Sequence, residues 1–318
     1  MIAETPIILC DLGGTHARLG YLEGNQIREL EKYKIADMQN HSALFSRYCD
    51  HKQIAPSKIA IASAACHTQA TYHSGFIENS KLTKEGLAQD GFELVALLND
   101  FEASVWGTAF YTKQPHILFQ GEEGLASIEC LIGPGTGLGC AFMDTKTTPP
   151  YILPAWPGGN MRPCAATDEH IEMIRNLQKT QDTAIVYEDF VSGRGVQKMY
   201  EMLHGTAFPG TEEFIKTIDD QTNEKILRLF HEFLGLYIQN VIVTVGAGKV
   251  HLHGGLLDFL HENNLLHFEQ IHKMITQPYV ESLSAYLQRV TITYINDTYL
   301  ALDGLKAYLT HNKEGHHD

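Results

Sequence analysis

The sequence predicts an α/β protein built from two related halves. Strand-like apolar runs alternate with helical stretches along the whole chain, and two glycine-rich turns of one design lie far apart, each between two extended segments. The length of 318 residues leaves room for two domains. With 44% hydrophobic and 19% charged residues the composition is globular, excluding disordered and fibrous classes.

Ile7 to Cys10 is a short apolar run broken by Asp11-Leu12-Gly13-Gly14-Thr15, after which Ala17, Leu19 and Tyr21 alternate, so strand, tight turn and strand are expected. Ile128 to Ile132 repeats the design, with Gly133-Pro134-Gly135-Thr136-Gly137-Leu138-Gly139 as the turn and Cys140 to Met143 as the return strand. Between them Lys58 to Ala62 and Phe92 to Leu98 read as buried strands, and Phe101 to Phe110 as a helix. Asn99 and Asp100 thus fall where a strand gives way to a helix, a position suited to Asp100 as a helix cap and to catalysis. Further on, Thr167 to Lys179 and Glu188 to Leu203 read as helices, the first capped by Thr167. Ile226, Phe230, Phe233, Tyr237 and Val241 recur at helical spacing. Val250 to His253 is a strand, Gly254-Gly255 a turn before a helix, and Val290 to Ile295 a strand leading into a helix over Tyr299 to Leu309.

The 38 acidic residues outnumber 24 basic ones, a net charge of -14 that disfavours nucleic acids and anionic membranes as partners. The six cysteines form no C-x-x-C pair, the N-terminus has no basic start or cleavage site, and no apolar run approaches the roughly 20 residues of a membrane helix, which together predict a cytoplasmic protein. The 17 histidines include the alternating pair His251 and His253, without the companions of a zinc site.

Neither glycine turn has the G-x-G-x-x-G spacing of a dinucleotide site, and Gly248-Lys249 lacks the rest of a P-loop. A phosphate clamp made of two hairpin turns remains. Gly13, Gly14, Gly135 and Gly137 let backbone amides approach phosphate oxygens, Thr15 and Thr136 offer hydroxyls, and Asp11 suits a Mg²⁺ held through water.

These residues carry a resemblance. Asp11-Leu-Gly-Gly-Thr-His-Ala-Arg-Leu is similar to the first phosphate motif of bacterial glucokinases of the hexokinase and actin-like ATPase superfamily. Leu98-Asn99-Asp100-Phe101 resembles their catalytic motif, Gly133 to Gly139 their second phosphate motif, and Gly254-Gly255-Leu256 their adenosine-side glycines. The likeness is to the zinc-free group, since the Cys/His cluster of the repressor/ORF/kinase sugar kinases is missing.

The resemblance implies an actin-like ATPase (ribonuclease H-like) fold with a cleft between a small domain, residues 1–105 plus 299–318, and a large one, 106–298. It implies a homodimer that phosphorylates a hexose, glucose by default, at its 6-hydroxyl with Mg-ATP. Asp100 would take the proton from that hydroxyl. Gly254 and Gly255 would join the ATP site, and Asn79, Asn99, Gly158, Gly159, Asn160 and Glu188 would line the sugar site. One departure lies on the sugar side, where the family's Glu-Gly-Gly-His is replaced by Pro157-Gly158-Gly159-Asn160. A lost hydrogen bond to a charged group costs about 1.5 to 3 kcal/mol, so a kinase of another hexose or hexosamine, and a sugar or nucleotide sensor without catalysis, stand beside the glucokinase reading. An unrelated hydrolase of the same fold is a third alternative.

Overall fold

The computed structural model describes residues 6–38, 40–55, 58–64, 82–153, 158–277 and 280–311. Asn79, Pro157 and Cys66 lie outside the described residues. In chain order the elements are β1 (Ile7–Leu12), β2 (His16–Glu23), β3 (Gln26–Lys34), α1 (His41–Lys52), β4 (Lys58–Ser63), α2 (Lys84–Gln89), β5 (Glu93–Asn99), α3 (Asp100–Ala109), β6 (His116–Phe119), β7 (Ile128–Pro134), β8 (Leu138–Asp144) and β9 (Tyr151–Leu153). They continue with α4 (Asp168–Gln178), α5 (Gly193–His204), α6 (Thr211–Lys216), α7 (Gln221–Val245), β10 (Lys249–Leu252), α8 (Gly255–Glu262), α9 (Phe268–Ile275), α10 (Glu281–Leu287), β11 (Thr291–Tyr294) and α11 (Leu300–His311).

The chain divides into two compact units, one of residues 1–114, 141–156 and 297–318, the other of 115–140 and 157–296. This differs from a division at 105 and 299. Helix α3 packs along α11 and carries the chain with it as far as Gln114, while Ile152 on β9 packs on the first unit's core beside Trp106 and Leu302.

The five-stranded sheet runs in the order β3-β2-β1-β4-β5, with β1, β4 and β5 parallel and β2 and β3 antiparallel. The six-stranded sheet runs β6-β11-β10-β7-β8-β9, with β7, β10 and β11 parallel. Reading β7, β8, β9, β10 and β11 against β1 to β5 gives the same order twice, so the duplication expected from the two hairpins extends to whole sheets. Their parallel strands are buried on both faces, and Ile8, Leu9, Ile59, Ile61, Ile132 and Val250 are all fully shielded.

Helix α7 is the one described helix long and apolar enough to cross a membrane, and it is mostly buried within the second unit, with Phe230, Phe233, Leu234 and Tyr237 in its core. The helix expected over Glu188 to Leu203 begins later. Tyr187–Asp189 is a 3-10 turn, and α5 starts at Gly193 because the Ser192 side chain caps it by accepting from Gly195 N.

Within the first unit α3 and α11 cross with their backbones touching. A Cβ on Gly107 would lie 2.2 Å from the Leu300 carbonyl oxygen, and one on Gly304 would lie 1.6 Å from that of Ala103. Only glycine at both places permits so close an approach.

Candidate active site

In the first unit the register of the parallel strands gathers the acidic residues. Leu12 pairs with Ser63 and Ser63 with Asn99, so the carboxyl ends of β1, β4 and β5 finish level, with Asp11 and Asp100 at that edge. Asn99, rather than Asp100, caps α3. Its Oδ1 accepts from Phe101 N at 2.8 Å and from Glu102 N at 3.4 Å, which holds its backbone extended and leaves Asp100 as the first helical residue. Burial first, and the nearby Asp11 carboxylate second, push the Asp100 carboxyl up to about 7, against the opposing pull of backbone N–H groups at Phe101 and Asp100 itself. An acid of that strength exchanges its proton near neutrality, as a general base must.

Asp11 is buried and ion-paired, with Arg18 on β2 donating from Nη1 to its Oδ2 at 2.9 Å. Gly13 N donates to His16 O and closes the first turn, with Gly14 half-buried and Thr15 exposed at its tip. Asp11 is a hard oxygen donor, and among the described residues no group of three or more His, Cys, Asp or Glu gathers to cage an ion. That donor set fits Mg²⁺, which keeps most of its waters and takes one or two carboxylates.

In the second unit Gly135 N donates to Gly137 O, closing the second turn with Thr136 exposed. Gly254 stands at φ +140° with its Cα side 2.5 Å, measured from a would-be Cβ, from the Pro134 carbonyl. The Gly254-Gly255 start of α8 therefore abuts the second glycine turn, as β10 and β7 pair in register at Leu252 and Ile132. Gly158–Asn160 forms a 3-10 turn in which Gly158 is half-buried, Gly159 buried and Asn160 exposed. Tyr187 N donates to Met161 O at 2.9 Å, which ties this turn to the one bearing Glu188.

The Glu188 carboxylate, expected on the sugar side, is bonded to the second glycine turn. Leu138 N donates to its Oε2 and Arg194 Nη2 to its Oε1, each at 2.9 Å. Arg18 and Arg194 are the charged groups that sequence reasoning passed over. Arg18 stands directly opposite Asp11 in the β1–β2 hairpin, so the expected hairpin could have signalled that pair, whereas Arg194 lies six residues beyond Glu188 across a turn and the start of α5, a spacing with no regular pairing pattern. Of the paired histidines, His251 lies between Thr293 Oγ1 and Glu129 Oε2 at 2.8 Å each, and His253 Nδ1 meets Ile295 O. Cys10, Cys49, Cys130, Cys140 and Cys164 are free thiols, the first four buried.

A doubled sheet order with a glycine turn after the first strand of each defines an α/β protein of the actin-like ATPase fold. The glucokinase family profile matches residues 8–312, and the chain belongs to the glucokinase family. Among curated relatives, the glucokinase of Saccharophagus degradans is 26% identical, covering 96% of this chain and 98% of its own. The bifunctional protein glk of Paraburkholderia xenovorans is 24% identical over 96% of the chain, which spans about half, 49%, of that longer protein. A crystal structure of glucokinase from an Antarctic psychrotroph superimposes with a TM-score of 0.75 at 21% identity, covering 97% of this chain and 99% of that one.

Proposed function

We propose that this protein transfers the γ-phosphoryl group of ATP to the 6-hydroxyl of a hexose, with glucose as the default sugar. The observation that carries the reading is Asp100, held at the start of α3 with its proton affinity raised to about 7. Asp100 accepts the hydroxyl proton as the sugar oxygen bonds to the γ-phosphorus and the bond to the departing ADP oxygen breaks. Phosphoryl transfer asks mainly for positioning and charge stabilisation, so one well-placed base suffices. Asn99 spends its carbonyl on the helix cap, and its amide nitrogen is the donor for a neighbouring sugar hydroxyl. Gly13, Gly14, Thr15, Gly135, Thr136 and Gly137 present amides and hydroxyls to the phosphates, Gly254 and Gly255 line the nucleotide, and Asn79, Gly158, Gly159, Asn160 and Glu188 meet the sugar. Mg²⁺ held by Asp11 through water would neutralise phosphate charge. The free thiols accord with a reducing cytoplasm, and family likeness supports a homodimer.

A second reading, a kinase for another hexose or a hexosamine, is favoured by Asn160, exposed on its turn and neutral at every pH where the resembling family carries histidine. Release of ADP from Mg-ATP over a panel of hexoses and amino sugars decides between the two. Turnover with glucose supports the first, turnover confined to another sugar the second. No turnover with any sugar sinks both and leaves a sensor, while sugar-independent ATP hydrolysis points to a hydrolase.

A further inference from the structure

The second phosphate turn is held by more than its own backbone. Gly193 N, at the start of α5, donates to Gly135 O at 2.8 Å, and Arg194 Nε, one residue on, donates to Thr136 O at 3.2 Å. The same guanidinium donates from Nη2 to Glu188 Oε1, while the other carboxylate oxygen accepts from Leu138 N. A closed ring results, running from the turn through the arginine and the glutamate back to the turn. It is tightly packed, since a Cβ on Gly137 would stand 2.6 Å from Glu188 Oε2 and 3.2 Å from Arg194 Nη2.

The charges matter as much as the bonds. Glu188 is half-buried, with its side chain 29% exposed, and its carboxylate rests on the backbone of a turn whose proposed ligand carries several negative charges. Unpaired, that carboxylate would repel the nucleotide at close range, where solvent screening is weakened. Arg194 is the basic side chain that meets it, and 56% of that side chain remains exposed. Arginine suits the place because its fork donates in two directions at once, to a carbonyl and to a carboxylate, which lysine cannot do with the same geometry.

We infer that Arg194 is a positioning residue for nucleotide binding, cancelling the charge of Glu188 beside the second phosphate turn and fixing the Gly135 to Leu138 backbone toward the phosphates. The inference rests on the ATP-dependent reading of the site. It places a determinant of ATP affinity on a residue whose partner, Glu188, was expected to serve the sugar.

Calorimetric titration of the full chain with the magnesium complex of AMPPNP, a non-hydrolysable ATP analogue, tests it. In Arg194→Met the affinity is expected to fall roughly 10- to 100-fold, the range set by losing a charge-assisted pair. Arg194→Lys should lose less, and Glu188→Gln placed in the Arg194→Met background should recover most of the loss, because the repelling charge has gone. A general loosening of the structure would instead be deepened by the second substitution, and thermal melts of each variant report on folding directly. Unchanged affinity in Arg194→Met, or no recovery in the double variant, overturns the inference. Failure of the wild-type protein to bind the analogue overturns the functional reading itself, so the two failures are told apart.

Discussion

Asp100 is the proposed base, and in that role its environment makes opposite demands on catalysis and stability. The base must be ionised to accept a proton, so kcat/KM is expected to rise with pH and level off above about 7, following the raised affinity of this carboxyl. A profile flat down to pH 5 would remove Asp100 from the role. For stability the sign is reversed. The unfolded carboxyl loses its proton near the ordinary value of 3.8, while the folded one keeps it to about 7, so the folded state binds more protons in between and loses stability as pH rises through that window. Asp100→Asn should therefore lower kcat by about 10²- to 10⁴-fold. The same variant should melt with the wild type at pH 4 and above it at pH 8, by up to about 4 kcal/mol. A melting difference independent of pH would contradict the proposed ionisation.

At the scale of elements, the crossing of α3 and α11 fixes the helix that begins at Asp100. Gly304→Ala would drive a Cβ into the Ala103 carbonyl and force the helices apart, with an expected cost of about 3 kcal/mol in denaturant unfolding and a fall in kcat at nearly unchanged KM for ATP. Unaltered stability would mean that the two backbones do not touch. None of this was legible in the sequence, because each glycine is explained only by a helix almost 200 residues away. What was legible had local causes. The hairpins around Gly13 and Gly135 announce themselves by alternation and turn chemistry, and α7 by its apolar period. Strand β3 was missed because Gln26 to Lys34 is an exposed edge carrying Arg28, Glu29, Glu31 and Lys32, which blurs the alternation. Helices α2, α6, α9 and α10, of six to eight residues each, are too short to set up a period of their own. The cap was expected at Asp100 and is Asn99, because both side chains are good caps and local sequence does not rank them. The site motifs could be read because each is a contiguous turn, whereas the partners of Asp11 and Glu188 are set by pairing across strands and turns.

For the whole molecule, a charge of -14 disfavours a polyanionic ligand, so the proposed nucleotide site has to offset it locally. Binding of Mg-ATP and of the accepted sugar should each stabilise the fold by about 2.7 kcal/mol at a hundred times Kd. That corresponds to a rise of roughly 5 °C in Tm, and the absence of any shift with ATP would count against the nucleotide site. The doubled sheet order has one further consequence. Asn99-Asp100 at the junction of β5 and α3 is matched by Asn296-Asp297 between β11 and α11, and in each case the glycine of the helix crossing comes eight residues beyond the asparagine. The clashes match likewise, Gly107 meeting the carbonyl four residues beyond one asparagine and Gly304 the carbonyl four residues beyond the other. The crossing thus obeys a local two-fold axis, as the contact between two identical chains would. Asp100 therefore has a counterpart in Asp297, and the two carboxyls sit in different surroundings. Asp297 is buried and held by Lys113 at 2.6 Å, a fastening between the chain after α3 and the chain before α11, while Asp100 meets no such cation among the described residues and its carboxyl is pushed up by burial.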